Sequence, residues 1–230
     1  MQNQSHSKPQ RSSDPQEQFK TLCLRYAEFL KRKNVKCRPF RAESLPLFSK
    51  LTHDQKNKAI LEISSALEIF EEMKAEGQNL SDSPKLIWRG LKKLGWTPRA
   101  DIFDKIGEDV VIIYSAAEQK QIFQNLRFFD FTSFTLEDIY ASPWYEYSKR
   151  EPWAEQKLQE TGIAILTGAK TGTFDPGVGE HLIEEVGTEE LLKTWIEVKH
   201  VSPLTQGERP VGILVVNHCR RAGSALTEGK

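Results

Sequence analysis

Residues 191–219 read LLKTWIEVKHVSPLTQGERPVGILVVNHC, and the fold class of the chain follows from this segment. Two apolar-rich runs, residues 192–201 and 211–217, flank a polar segment that contains two prolines and a glycine. β-Branched and aromatic residues in runs of this length favour strands, and turn residues between them indicate a β-hairpin. The segment therefore predicts two antiparallel strands joined by a long loop.

A second group of strand-like segments lies upstream of this hairpin. Residues 110–114 (VVIIY) are short, β-branched and apolar, as is typical of a buried strand. Residues 121–128 predict a partner for it, and residues 181–186 predict a further strand just before the hairpin. Helices capped by Thr135 and starting near Pro152 fall between the second and third strands. This order predicts an α+β fold with an antiparallel five-stranded sheet and inserted helices.

The N-terminal part of the chain has the apolar period and the end signals of helices. Asp14 can cap a first helix that begins at Pro15, and Thr52 with Gln55 has the spacing of a capping box. Ser83 is expected to be the N-cap of a third helix that has Pro84 as its first residue. We therefore expect a small all-helical region ahead of the sheet.

These segments divide the chain into four parts. Residues 1–13 are rich in Ser, Gln, Asn and Pro, and they predict a disordered tail because they cannot bury enough apolar surface. The helical region is expected over residues 14–105 and the α/β domain over residues 106–221. Residues 222–230 are expected to form a flexible tail.

Composition narrows the classes of function. Lysine plus arginine equals aspartate plus glutamate at 32 residues each, so the formal net charge is zero. This balance disfavours a broad surface for nucleic acid or for an anionic membrane. Purely apolar runs are too short to span a bilayer, and the N-terminus lacks the apolar core of a secretory signal. The scattered Cys23, Cys37 and Cys219 fit reduced thiols of a cytoplasmic protein better than disulfides or a zinc site.

Three stretches of the chain resemble the PAS sensor-domain family: FFDFTSFTLEDIYASPWYEY at 128–147, LKTWIEVKHVSPL at 192–204 and PVGILVVNHC at 210–219. The first is similar to the segment in which the family's second strand leads into a helix, and the others are similar to its last two strands. The resemblance covers residues 107–220. It implies a five-stranded antiparallel sheet that cups an interior able to bind a small molecule, and dimerisation through flanking helices.

Two cofactor-binding subtypes of that family carry residues that this chain lacks. The light-sensing flavin subtype has a reactive cysteine in its core, but no cysteine lies between Cys37 and Cys219. The haem-binding subtype generally uses a histidine on the helix before the third strand, but no histidine lies between His53 and His181. We therefore expect no cofactor.

The densest aromatic cluster of the chain lies within residues 128–153. Ligand pockets are apolar with a few convergent polar groups, so this cluster is a candidate pocket. Aromatic residues also dominate ordinary cores, and that interpretation carries more weight. The candidate ligand-binding residues, which include one aromatic of the closing hairpin, are Phe128, Phe134, Trp144, Tyr145, Tyr147, Trp153 and Trp195.

The first predicted helix is the best candidate for contact with a partner. Its apolar residues recur at three- and four-residue steps and form one face. Such a face packs either on a second copy of the chain or on the helix's own domain, and the sequence does not choose between them. The face consists of Phe19, Leu22, Tyr26, Phe29 and Leu30.

Three further motifs do not meet the spacing that their chemistry requires. Residues 162–171 have five residues between the glycines and an alanine before Lys170, so they depart from a P-loop. His181 and Glu185 can share a strand face but lack a third ligand, so solvated strand positions are favoured over a metal site. The basic and aromatic third helix lacks a recognition-helix partner, which disfavours contact with DNA.

No motif in the sequence indicates a reaction, so we expect no catalysis. The favoured hypothesis is a cytoplasmic signalling or regulatory protein, whose PAS-like domain binds a small ligand or a protein partner and transmits the change through flanking helices. A second copy of the chain or another protein is the expected partner, whereas nucleic acid and membrane are not. The alternative is a DNA-binding transcription regulator with a C-terminal sensing domain.

Overall fold

The computed structural model describes residues 14–222, which form an α+β fold. The tails predicted for residues 1–13 and 222–230 lie outside the described residues, except for Ala222. Ahead of the sheet, the chain forms an N-terminal helical region with two additional 3-10 turns, at Phe48–Lys50 and Ala100–Lys105. Its helices are α1 (Pro15–Lys31), α2 (His53–Ala75) and α3 (Ser83–Leu94).

The helix ends follow the signals of the sequence with one exception. Asp14 caps α1, and Thr52 with Gln55 forms the predicted capping box of α2. The cap of α3 is Asp82 and not Ser83, because the Asp82 carboxylate accepts a hydrogen bond from the backbone N–H of Lys85. Because the capping residue lies one position before Ser83, Ser83 is the first residue of α3.

The described residues form one six-stranded, fully antiparallel sheet in the order β2-β1-β6-β5-β4-β3. The prediction of five strands is therefore one strand short. The missed strand, β3, has only three residues, too few to show an alternating pattern. The strands are β1 (Val110–Ser115), β2 (Lys120–Gln124), β3 (Ser148–Arg150), β4 (His181–Glu185), β5 (Lys193–Gln206) and β6 (Arg209–Arg221).

Four helices lie between β2 and β4. Thr135 caps the second of them with a capping box completed by Asp138, as its sequence predicts. Phe128 belongs to the first of these helices, so the prediction that β2 extends to residue 128 is wrong, and β2 ends at Gln124. The helices are α4 (Phe128–Phe131), α5 (Leu136–Ala141), α6 (Trp144–Tyr147) and α7 (Pro152–Leu166).

The closing hairpin is longer and tighter than its sequence predicts. Only Gly207 and Glu208 separate β5 from β6, so the predicted long loop is wrong. Pro203 lies inside β5 because its nitrogen is on the side away from β6. The N–H groups of Val201 and Thr205, two residues to either side, point that way, and they donate to isolated bridges rather than to β6. A proline at this position therefore removes no hydrogen bond of the hairpin.

The two faces of the sheet have different neighbours. Ile113 of β1 pairs with Phe123 and Leu214, and all three are buried in a core that continues into the helical region. The predicted helical region and α/β domain thus share one core. The neighbours of Ile113 along β1, Ile112 and Tyr114, point to the opposite face of the sheet because side chains alternate along a strand.

The apolar face of α1 is occupied within the chain. The Phe19 ring stacks on Phe48 at 4.1 Å between centroids, and Tyr26 lies 6.4 Å from the Tyr140 ring of α5. The sequence leaves open whether this face packs on a second copy of the chain or on the helix's own domain. In the structure it packs on its own domain, and the buried residues of the face are Phe19, Leu22, Tyr26, Phe29 and Leu30.

Two buried carboxylates attach the segment after α1 to the sheet region. Glu137, which is fully buried, accepts hydrogen bonds from the backbone N–H groups of Leu47 and Phe48 at 2.8 and 3.1 Å. Asp138 lies 2.6 Å from Nε of Arg41. Because each carboxylate has several donors, its burial is compensated.

Gly90 and Gly162 give a matched test of this packing. A Cβ at Gly90 would lie 2.6 Å from the buried Phe123 ring, whereas one at Gly162 would meet only Ile213 at 3.8 Å. We expect Gly90→Ala to lower the free energy of unfolding by about 1–3 kcal/mol through overpacking. Gly162→Ala should raise it by about 0.5–1 kcal/mol through helix propensity. Urea unfolding measures both, and equal effects of the two substitutions would contradict the packing.

Candidate functional site

A cavity of about 440 Å³ lies between α7 and the face of the sheet that points away from the helical region. Its volume falls within the range of roughly 300–1,000 Å³ that is typical of small-molecule sites. The cavity is open to solvent on one side, where the apolar Ile163 and Leu166 of α7 are exposed. Mostly apolar walls and a volume in this range make it the candidate site.

The walls of the cavity are mostly aliphatic. The wall on the sheet side consists of residues of β1, β5 and β6 that face the cavity. Residues that alternate with them along the strands point into the core on the other face of the sheet. The helix side carries Leu158, Ile163 and Leu166 together with Gly162, which leaves room because it has no side chain. The aliphatic residues of the sheet wall are Ile112, Ile196, Val198, Val201, Ile213 and Val215.

Arg150 forms the polar end of the cavity. It is the last residue of β3, and the pairing of that strand with β4 fixes its backbone opposite Ile183. The guanidinium lies 4.5 Å from the centre of the Trp144 ring, a cation–π distance. Its Nε and Nη1 atoms are buried and make no hydrogen bond among the described residues. Burial lowers the pKa of Arg150 from its usual value.

Tyr114 and Asn217 add polar groups beside Arg150. Both line the cavity from neighbouring strands, β1 and β6. Burial raises the pKa of the Tyr114 hydroxyl, and the nearby Arg150 charge acts in the opposite direction. Tyr114 is therefore a neutral hydrogen-bond donor at physiological pH.

His181 also lines the cavity, and it is fully buried. The prediction of a solvated strand position is therefore wrong for this residue, because β4 carries it beneath α7. Its Nδ1 atom lies 3.0 Å from the carbonyl oxygen of Gly179, and its Nε2 atom has no partner among the described residues. Burial lowers the pKa of His181, so the ring is neutral at pH 7. With the proton on Nδ1, the Nε2 atom is a free acceptor.

A second, small cavity of about 50 Å³ adjoins the first and shares Tyr114, Trp144 and Arg150 with it. Its walls come from the aromatic cluster. The Phe134 and Tyr147 rings meet edge to face at 4.7 Å between centroids. The structure therefore brings Phe128, Phe134, Trp144 and Tyr147 together, of which Trp144 alone also lines the large cavity.

The other three aromatic candidates lie outside both cavities. Tyr145 and Trp153 are 49% and 48% exposed, and the Trp153 ring lies 5.9 Å from that of His181. Trp195 stacks instead with Arg220 at 5.1 Å. The aromatic cluster is thus mainly core around a small void.

The aromatic cluster of the sequence does not indicate most residues of the large cavity, because these residues are aliphatic. Tyr114 has a signal in the sequence, because it is the one residue with a polar hydroxyl in the apolar segment 110–114. Arg150 had none, because β3 is too short to predict. The cavity wall on α7 was equally hidden, since a helical glycine such as Gly162 costs stability and only the fold shows what it leaves open.

Other charged groups of the chain are used in structure. Glu185 accepts hydrogen bonds from the backbone N–H of Ser133 at 2.6 Å and from the Thr188 hydroxyl at 2.7 Å. On the basic face of α3, Arg89 pairs with Glu76, and Lys93 is 2.9 Å from a carboxylate of α2. Within residues 14–222, no group of three acidic, histidine or cysteine side chains could hold a metal ion.

Comparison with known proteins adds no relative. No protein-family model matches the chain, and no curated protein sequence matches it. Among the helices of the described residues, none combines the length and the apolar character that crossing a lipid bilayer requires.

The buried His181 predicts a pH dependence of stability. In the unfolded chain the ring takes up a proton as the pH falls through about 6.5, whereas the folded protein takes it up only at lower pH. The unfolded state therefore binds more protons in this window, and the free energy of unfolding falls as the pH is lowered.

We expect urea unfolding between pH 7.5 and 5.5 to show this loss, with a slope for this group of at most about 1.4 kcal/mol per pH unit. The loss should be smaller in His181→Asn. Since Arg150 and Glu151 also act on the ring, its titration should be followed directly by NMR. A His181 ring that titrates at or above pH 6.5 in the folded protein would contradict the prediction.

Proposed function

We propose that the protein is a cytoplasmic, PAS-like sensor that binds a small molecule in the cavity beneath α7. Binding alters the packing of the N-terminal helices, and a second copy of the chain or another protein responds to that change. The protein acts through binding and without catalysis. The observation that carries the proposal is the position of the cavity on a sheet whose opposite face forms the core of the helical region.

The route for a signal runs through the thickness of the sheet. Ile112 and Tyr114 of β1 contact the cavity, while Val111 and Ile113 of the same strand are fully buried in the core behind it. A ligand that shifts β1 shifts both sets of side chains, because they alternate on one backbone. Since packed cores deform little, such a shift changes the relative stability of two helix arrangements.

The neutral fluorescent probe N-phenyl-1-naphthylamine tests the cavity without reference to charge. We expect it to bind and brighten. Gly162→Leu, which projects a side chain into the cavity, should weaken binding at least tenfold. Gly172→Leu is the matched control, because Gly172 is exposed and a Cβ there meets nothing within 4 Å. Equal binding by both variants would place the probe elsewhere and would remove the support for a ligand site.

Hydrogen exchange with the same bound probe tests transmission. We expect slower amide exchange in β1 and also in α2 and α3, which lie behind the sheet and do not contact the cavity. Mass spectrometry of peptides reports each element separately. Protection confined to α7, β5 and β6 would mean that the cavity binds a molecule without signalling to the helices.

A further inference from the structure

No carboxylate pairs with Arg150 within the described part of the chain, and its polar neighbour Tyr114 is a neutral hydroxyl that does not balance a charge. None of the carboxylate oxygens described lies within 4.0 Å of its nitrogens, and Glu155 acts on it only over a longer range. Taking a cation out of water is costly unless an anion or several acceptors replace the lost solvent. The buried Asp138 shows the usual solution, since it is paired with Arg41.

The Arg150 guanidinium has an aromatic ring beside it, with the Trp144 centroid 4.5 Å from the guanidinium carbon. The ring accepts no N–H hydrogen bond from Nε or Nη1, so these donors at the edge of the planar group remain free for a ligand. A planar fork of N–H donors matches the two oxygens of a carboxylate. Arg150 also borders both cavities, so an anion at this end has space beside it.

Away from Arg150, the cavity is aliphatic. Leu158 and Leu166 of α7 face Val198 and Val215 of the sheet across it. A small inorganic anion would leave this surface wet, and a purely apolar ligand would leave the half-buried cation, with its buried Nε and Nη1 atoms, without a counter-charge. A molecule that satisfies both ends carries one acidic group and a hydrocarbon body.

We infer that the cavity binds an aliphatic organic acid, with its carboxylate at Arg150 and its hydrocarbon body between α7 and the sheet. The inference rests on the proposed function and specifies its ligand class. Tyr114 offers a hydroxyl donor beside the carboxylate. His181 offers a free acceptor that suits a hydroxyl on the ligand.

Titration calorimetry with three probes tests the inference on the full chain. Decanoate has both the acidic group and the body, decanol has the body alone, and acetate has the acidic group alone. We expect decanoate to bind about 10- to 100-fold more tightly than decanol, the range of one charge-assisted hydrogen-bonding group. Acetate should bind far more weakly than decanoate, because it buries almost no apolar surface.

Arg150→Met should remove the preference for decanoate over decanol, because the variant has no cation to bind the carboxylate. Arg209→Met is the matched control, because Arg209 is exposed at the start of β6 and lies outside the cavity, and it should change neither affinity. Arg150→Lys keeps the charge but loses the planar fork, so its affinity for decanoate should fall between the two. If Arg150→Met does not fold, the comparison of decanoate with decanol on the natural chain decides.

Equal affinity for decanoate and decanol, or unchanged decanoate affinity in a folded Arg150→Met variant, would overturn the inference. Neither result removes the sensor proposal if the neutral fluorescent probe still binds and responds to Gly162→Leu. Failure of decanoate, decanol and the fluorescent probe together would overturn both.

Discussion

The alternation of side chains along β1 and β6 is the constraint on which the remainder of the structure depends. One set of residues, which includes Ile113 and Leu214, faces the N-terminal helices. That core is packed so closely that Gly90 of α3 has no room for a methyl group beside Phe123 of the adjoining strand β2. The other set faces α7 and residues of the short helices α4 and α6. The space that remains between α7 and this face of the sheet is the cavity. Tight packing on one face and a void on the other follow from the same two strands.

Buried charge is treated differently at the two faces. Glu137 and Asp138 are deeply buried, but Glu137 accepts hydrogen bonds from the backbone of the segment after α1, and Asp138 accepts them from Arg41 and Thr135. Arg150 is held by a ring on one side and has buried N–H groups without acceptors. A buried charged group without acceptors lowers stability, so such a group in a folded protein is a candidate for a role in binding. The contrast therefore points to the cavity as the place where the chain meets an outside molecule.

Local rules predicted much of the fold and little of the site. The caps at Asp14, Thr52 and Thr135 act over a few residues, so the sequence alone locates them. The sequence predicts the hairpin but also predicts a turn at Pro203, because only the strand pairing shows which side of β5 its nitrogen faces. The cavity depends on residues far apart in sequence. Arg150 in particular comes from a strand that exists only through its pairing with β4.

Methyl NMR of the protein with added decanoate tests the central claim, that the void beneath α7 is a ligand site, most directly. The account predicts shifts of the methyl signals of Ile112, Ile213 and Val198, which line the cavity, and no direct contacts from ligand protons to Ile63 in the helical core. Intermolecular contacts from the ligand to the exposed Leu61 of α2, with the cavity methyls unchanged, would contradict it.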